Sequence, residues 1–349
     1  MDESAHLAYR AGDRSTLRPL SSGEGSTAPR KRGFFKRINM RVIRVFARKT
    51  KACPDDDLAF FDLQPPFYAE GDVVHISVTF DADIPLAERM YKQWRHVAPC
   101  SVGGPALGDR GGEFEPGLYL KSGITITSRG CPNRCWFCRA AKNEGDIREL
   151  KIKDGHTIQD NNLLACSDQH IKGVFAMLAR QRTRPTFSGG LEAARLKQWH
   201  VDALEKLKPR QMFFAYDTPD DFEPLVEASK KLLAAGLNRN SMRCYVLIGY
   251  PKDTIGIAEK RLYDTLRLGF FPLAMLYHEN TDRTWKRIQR EWARPAIIAG
   301  NCANSYRQSI VGHPRKPDGL SCGDCGLRFC GMNGNMRRVP VQVGSPAIT

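Results

Sequence analysis

The chain has 349 residues, is 42% hydrophobic and 26% charged, and shows no apolar run near the roughly 18 residues that a membrane-spanning helix needs. Those figures speak against a helical membrane protein and a wholly disordered one, and leave room for one large α/β domain with smaller flanking pieces. The formal charge of +15 sits at the two ends, because residues 1–52 carry 13 Lys/Arg against 4 Asp/Glu and residues 280–349 carry 11 against 4, while the middle is close to neutral. Basic ends of this kind could draw nucleic acid or another polyanion; solvated tails without a dedicated partner are the alternative.

Residues 1–39 are rich in Gly, Ser, Pro and Arg and lack hydrophobic periodicity, which predicts a disordered basic extension. The polar start, Met1 to Arg14, lacks the apolar segment of a secretory signal, so a cytoplasmic, reducing setting is expected, with the eleven cysteines mostly thiols or metal ligands. Met40 to Phe46 and Val73 to Phe80 read as β-branched strands, Pro85 to Val97 as an amphipathic helix, and Ser101 to Pro105 as a short strand ending in a glycine turn. Together they predict a small α/β module over residues 40–117.

From Ile124 apolar strand-like runs alternate with helical ones. Strands are expected at ITITS, PTFSGG, QMFFAYD, RCYVLIGY and PLAMLY, and helices at His170 to Arg180, Leu191 to Leu207, Glu223 to Ala235 and Ile257 to Leu268. About five strands are expected after the first, which suits a partial (β/α)6 TIM-like barrel over residues 118–280 better than a closed eightfold one. A Trp/Arg-rich helix, Thr284 to Trp292, opens a Cys-rich C-terminal extension over residues 281–349.

Directly after the first of these strands, Cys131, Cys135 and Cys138 form a C-x-x-x-C-x-x-C array. Thiolates are the usual ligands of iron–sulfur clusters, and a compact loop can wrap three of them around one cubane, leaving one iron open. A zinc site that takes a fourth ligand from afar is the competing reading, although structural zinc normally shows two paired knuckles. The spacing, with aromatic Phe137 just before the third cysteine, resembles the cluster loop of the radical S-adenosylmethionine (SAM) superfamily. That resemblance covers roughly residues 120–280 and implies an enzyme that chelates SAM at the open iron of a [4Fe–4S] cluster. One electron from an external donor would then cleave SAM to start radical chemistry on an unidentified substrate. The resemblance also implies cofactor-binding roles for Phe137, for Gly189 and Gly190 of Ser188-Gly-Gly-Leu191-Glu192, for Asp217, and for Gly249 of Val246-Leu-Ile-Gly249-Tyr250. Leu191 stands where that glycine motif often has its acidic residue.

Two further signals compete with simpler explanations. Asp168-Gln-His170-Ile-Lys-Gly173 matches D-x-H-x-x-G, by which many cobalamin domains supply a histidine to cobalt, but it falls inside the barrel pattern instead of the N-terminal module. It is read as a helix start capped by Ser167 or Asp168, and cobalamin is not expected. Cys322, Cys325 and Cys330, with Cys302 as the nearest fourth candidate, suggest a second site holding an auxiliary iron–sulfur cluster or zinc, with metal-free thiols as the alternative. A rival of another class is a nucleic-acid-binding protein with structural metal sites and basic ends, and the two readings combine in an enzyme acting on RNA. No membrane partner is expected.

Overall fold

The structure is a computed structural model and describes residues 40–294 and 296–298. Its first layer is a four-stranded parallel sheet built from β1 (Val42–Phe46), β2 (Ala59–Phe60), β3 (Val73–Ser77) and β4 (Cys100–Gly103), in the order β2-β1-β3-β4. The β-branched residues of β1 and β3 fit a pleated, half-buried surface. Ile43, Val45, Val74 and Ile76 are buried there. Helix α1 (Ile84–Trp94) carries Pro85 in its first turn, where a missing N–H costs nothing. Its Ala87, Met90 and Trp94 recur at helical spacing and join those strand residues in one core. The Trp94 indole donates to the Asp62 carbonyl at 3.1 Å, so this large ring is buried with its polar atom satisfied. The two-residue strand β2 has no signal in the sequence, because pairing to β1 alone makes it extended.

The second sheet follows in chain order. Strand β5 (Ile124–Thr125) leads into a short ribbon, β6 (Ser128–Arg129) with β7 (Arg148–Glu149), that pairs antiparallel around the cysteine loop and α2 (Ala140–Glu144). There follow β8 (Thr157–Ile158), α3 (Asp168–Ala179), β9 (Thr186–Phe187), α4 (Gln198–Leu207), β10 (Gln211–Ala215), α5 (Phe222–Ala234), β11 (Met242–Ile248), α6 (Ile255–Arg267), β12 (Phe271–Leu276) and α7 (Arg283–Glu291). Six parallel strands lie in the order β12-β11-β10-β9-β8-β5, the arrangement of a partial (β/α)6 barrel. Five strands therefore follow β5, as expected; the one not identified by its residues is β8. The helix expected over Leu191 to Leu207 is confined to Gln198–Leu207 after a single 3-10 turn at Ala193–Arg195. The core between this sheet and its helices is continuous, from Ile158 and Phe187 through Phe214, Val246 and Phe270.

Hydrogen bonds and ion pairs join the two layers beside the cysteine loop. Arg148 donates to the carbonyls of Arg110 (2.7 Å) and Gly111 (3.2 Å), and Lys153 pairs with Glu115 at 3.0 Å. At the ends of β3 and β4, Arg139 pairs with Asp81 and the Asn143 amide donates to the Pro105 carbonyl at 3.1 Å. Among the described residues no helix is long and apolar enough to cross a membrane.

Candidate functional site

Cys131, Cys135 and Cys138 lie on the loop between β6 and α2, beyond the C-terminal end of β5. The end of a parallel strand is where open α/β sheets place reactive groups, since each chain leaves its strand there into a loop of variable length. The loop is tightly drawn. Gly130 takes a φ of +80°, and a side chain on it would run into the backbone of Gly145 and Asp146, so only glycine serves. The Cys131 N–H donates to the Gly145 carbonyl, and that of Cys138 to Cys135, each at 3.1 Å. All three thiols are unpaired, with Cys131 half-buried and Cys135 and Cys138 exposed.

Two carboxylates brace this loop. Asp160, at the end of β8 and essentially buried, accepts from the Thr127 N–H (2.7 Å), the Thr127 hydroxyl (2.6 Å) and the Ser128 hydroxyl (2.7 Å). Glu144, at the end of α2, accepts from the Gly130 N–H (2.9 Å) and the Asn161 amide (2.7 Å), and pairs with Arg129 at 3.5 Å. Next to them the Asn162 amide donates to Glu192 at 2.6 Å and lies 3.7 Å from the Cys131 sulfur. The sequence reading missed Glu144, Asp160, Asn161 and Asn162. The signal present was Gln159-Asp160-Asn161-Asn162, an unbroken polar run at the exit of a buried strand.

The electrostatics of the loop oppose free thiolates. Although the residue is exposed as a whole, partial desolvation of its sulfur pushes the Cys135 thiol up to about 11, helped by the neighbouring Cys138, Cys131, Asp217 and Asp221. Burial raises Cys138 as well, against the Ala140 N–H that stabilises its thiolate, and Cys131 and Asp217 raise it further. A cationic iron cluster would favour the thiolate forms of Cys135 and Cys138 that desolvation and the nearby carboxylates disfavour. The soft donor set fits such a cluster. Among the described residues no three His, Cys, Asp or Glu side chains converge as the ligands of a single metal ion do.

Asp217 follows β10 and is braced to the neighbouring strand by the Leu247 N–H at 2.9 Å. Burial, then the adjacent Asp221, lifts its carboxyl to about 7; Leu247 and Arg261 act in the opposite direction. Gly249, after β11, has a φ of +70° and is enclosed by Asn280 and Trp285. The turn beyond it is held by Arg261, whose guanidinium donates to the Leu247 carbonyl and to Asp253, both at 2.8 Å. Phe137 lies on the cysteine loop against Trp136, which is 60% exposed and whose ring centre is also 5.7 Å from those of Tyr250 and Tyr277. The structure thus brings the β10 and β11 ends and the aromatic part of the loop to one end of the sheet.

Gly189 and Gly190 follow β9, the third strand of this sheet in chain order. A side chain on Gly189 would overlap the Asp160 carbonyl, so the missing Cβ lets the β9 exit pack on the β8 exit. Gly190 has a φ of +134°. Ser167 caps α3 by accepting from the His170 N–H at 3.2 Å, as expected of a helix start. His170 is buried and its Nδ1 lies 3.8 Å from Glu149. Cys302, Cys322, Cys325 and Cys330, and the basic segment 1–39, lie outside the described residues.

No protein-family model matches the sequence, and neither does any curated protein. Among solved structures the chain is similar to the radical S-adenosylmethionine methyltransferase TsrM from Kitasatospora setae with cobalamin and a [4Fe–4S] cluster bound. The identity is 13% and the TM-score 0.46, over 60% of this chain and 64% of that one. TsrM with tryptophan and the SAM analogue aza-SAM gives 12% and 0.44, over 67% and 66%. The cobalamin-dependent SAM radical enzyme OxsB, with aqua-cobalamin and SAM bound, gives 12% and 0.36, over 64% and 47%. The chain therefore spans less than two thirds of the length of each. These neighbours are radical SAM enzymes, and TsrM and OxsB both hold cobalamin, which corrects the expectation that cobalamin is not a candidate.

Proposed function

We propose that this protein is a radical SAM enzyme in which Cys131, Cys135 and Cys138 hold a [4Fe–4S] cluster. The observation that carries the reading is the placement of three unpaired thiols on one braced loop at the end of a parallel strand. Held by Cys131, Cys135 and Cys138, such a cluster would supply the one-electron reduction that cleaves SAM.

The chain's own residues do the positioning. Asp160 and Glu144 fix the loop's entry and exit, so the thiols meet a cluster already oriented. Asp217 offers an acceptor for the ribose, and Phe137 and Gly249 border the place of the adenine. Gly189 acts through packing by keeping the β9 exit against β8, and Gly190 offers backbone to the amino acid part of SAM. The substrate and the external electron donor lie beyond these residues.

Anaerobic reconstitution with iron and sulfide tests the reading, followed by iron and sulfide assay, electron paramagnetic resonance, and chromatography of products formed from SAM and dithionite. The wild-type chain should bind at least about four irons and form 5′-deoxyadenosine. Cys131→Ala, Cys135→Ala and Cys138→Ala should each abolish product. Undiminished 5′-deoxyadenosine from the triple variant would remove the proposal.

A further inference from the structure

Asn162 sits between a carboxylate and the sulfur of Cys131, which can both only accept hydrogen bonds once that sulfur is a metal-bound thiolate. On one side is the Glu192 carboxylate, 2.6 Å from Nδ2 and itself held by Arg195 at 2.6 Å; on the other is the Cys131 sulfur, 3.7 Å from the same Nδ2. A carboxylate has no proton to give, and neither does a metal-bound thiolate. The carboxamide must therefore turn its NH2 to both, because the reverse orientation would set its oxygen against the carboxylate. Consistent with that fixed orientation, Oδ1 is buried and has no partner among the described residues, while the whole residue is only 5% exposed. A buried carbonyl oxygen without a donor is unfavourable, so the side chain keeps this pose for what its nitrogen does. The backbone is held as well, since Asn162 opens the 3-10 turn Leu163–Ala165 directly after the β8 exit that Asp160 anchors.

We propose that Asn162 is a positioning residue for Cys131, and that its N–H···S contact, oriented by Glu192 and Arg195, sets the reduction potential of the cluster that Cys131 helps to hold. This rests on the cluster reading above. A hydrogen bond to a ligand sulfur withdraws electron density from it and favours the more negative, reduced cluster, so it raises the potential. The arrangement also gives a role to Glu192, which follows Leu191 in the glycine motif: it aims the amide. It does so from the exit of β9, while Asn162 comes from the exit of β8 and Cys131 from the loop after β6, so three elements converge on one sulfur.

The test is a redox titration of the reconstituted full chain without SAM, followed by electron paramagnetic resonance, with iron and sulfide content measured on the same samples. Asn162→Leu keeps the volume and removes the donor. It should bind as much iron as wild type, show a lower midpoint potential, and give an altered spectrum of the reduced cluster. Glu192→Gln keeps the shape but lets the Asn162 amide turn round, so the potential should fall in the same direction by less. Asn162→Leu with full iron and the wild-type potential would overturn the proposal. If that variant fails to load, a wild-type potential in Glu192→Gln does so instead. Failure of the wild-type chain to assemble any four-iron cluster would remove the function reading and this inference together, an outcome distinct from either of those.

Discussion

Asp217 illustrates how much a single desolvated carboxyl can bias this molecule. Its folded-state pKa of about 7 lies above the ordinary 3.8, so the folded chain keeps a proton there that the unfolded chain has lost. The stabilisation is fully present below about 4 and is lost as pH rises through about 7. Asp217→Asn removes this dependence while keeping an acceptor for the Leu247 N–H. The variant should match wild type in urea unfolding at pH 4 and exceed it at pH 8, by up to ~4 kcal/mol. An equal difference at both pH values would show that the carboxyl does not titrate in the folded state.

At the level of elements, the exits of β8 and β9 act as one unit. A methyl group on Gly189 must displace the Asp160 carbonyl, and Asp160 holds Thr127 and Ser128 at the start of the cysteine loop. Gly189→Ala should therefore cost about 1–3 kcal/mol, as overpacking does. It should also reduce iron loading although no ligand is changed, a combination read from thermal melts and iron assays on one preparation. This is also where the sequence was only partly legible. Long β-branched or aromatic runs such as Met242–Ile248 and Phe271–Leu276 announce strands, and Ser167 announces a helix start, because those signals are local. Strands β2 and β8 have two residues each and are extended only because neighbours pair with them, so no local pattern marks them. The three thiols were legible because they lie within eight residues of one another. Asn162 and Glu144 were not, since their partners lie 31 and 14 residues away and meet only through the sheet.

At the scale of the whole molecule, the apolar side chains of the described residues form two cores, one around α1 and one between the six-stranded sheet and its helices. The contacts noted between the layers are hydrogen bonds and ion pairs, many of them exposed, and exposed pairs contribute little each. Heating should give two overlapping transitions, with a calorimetric enthalpy above the van't Hoff value. Trp94→Ala should cost about 3–5 kcal/mol. It should move only one of the two transitions; a single transition that shifts as a whole would show that the layers unfold together. The placement of the cysteines has a separate consequence for supply. Three ligands within eight residues close only a very short loop, so a metal bound there restrains little of the unfolded chain, and an unfolded segment could hold it too. The fold, built around cores elsewhere, would then have little need of the proposed cluster. Chain prepared without iron should therefore give the same thermal melt as the reconstituted chain, and should take up iron and sulfide without first being unfolded.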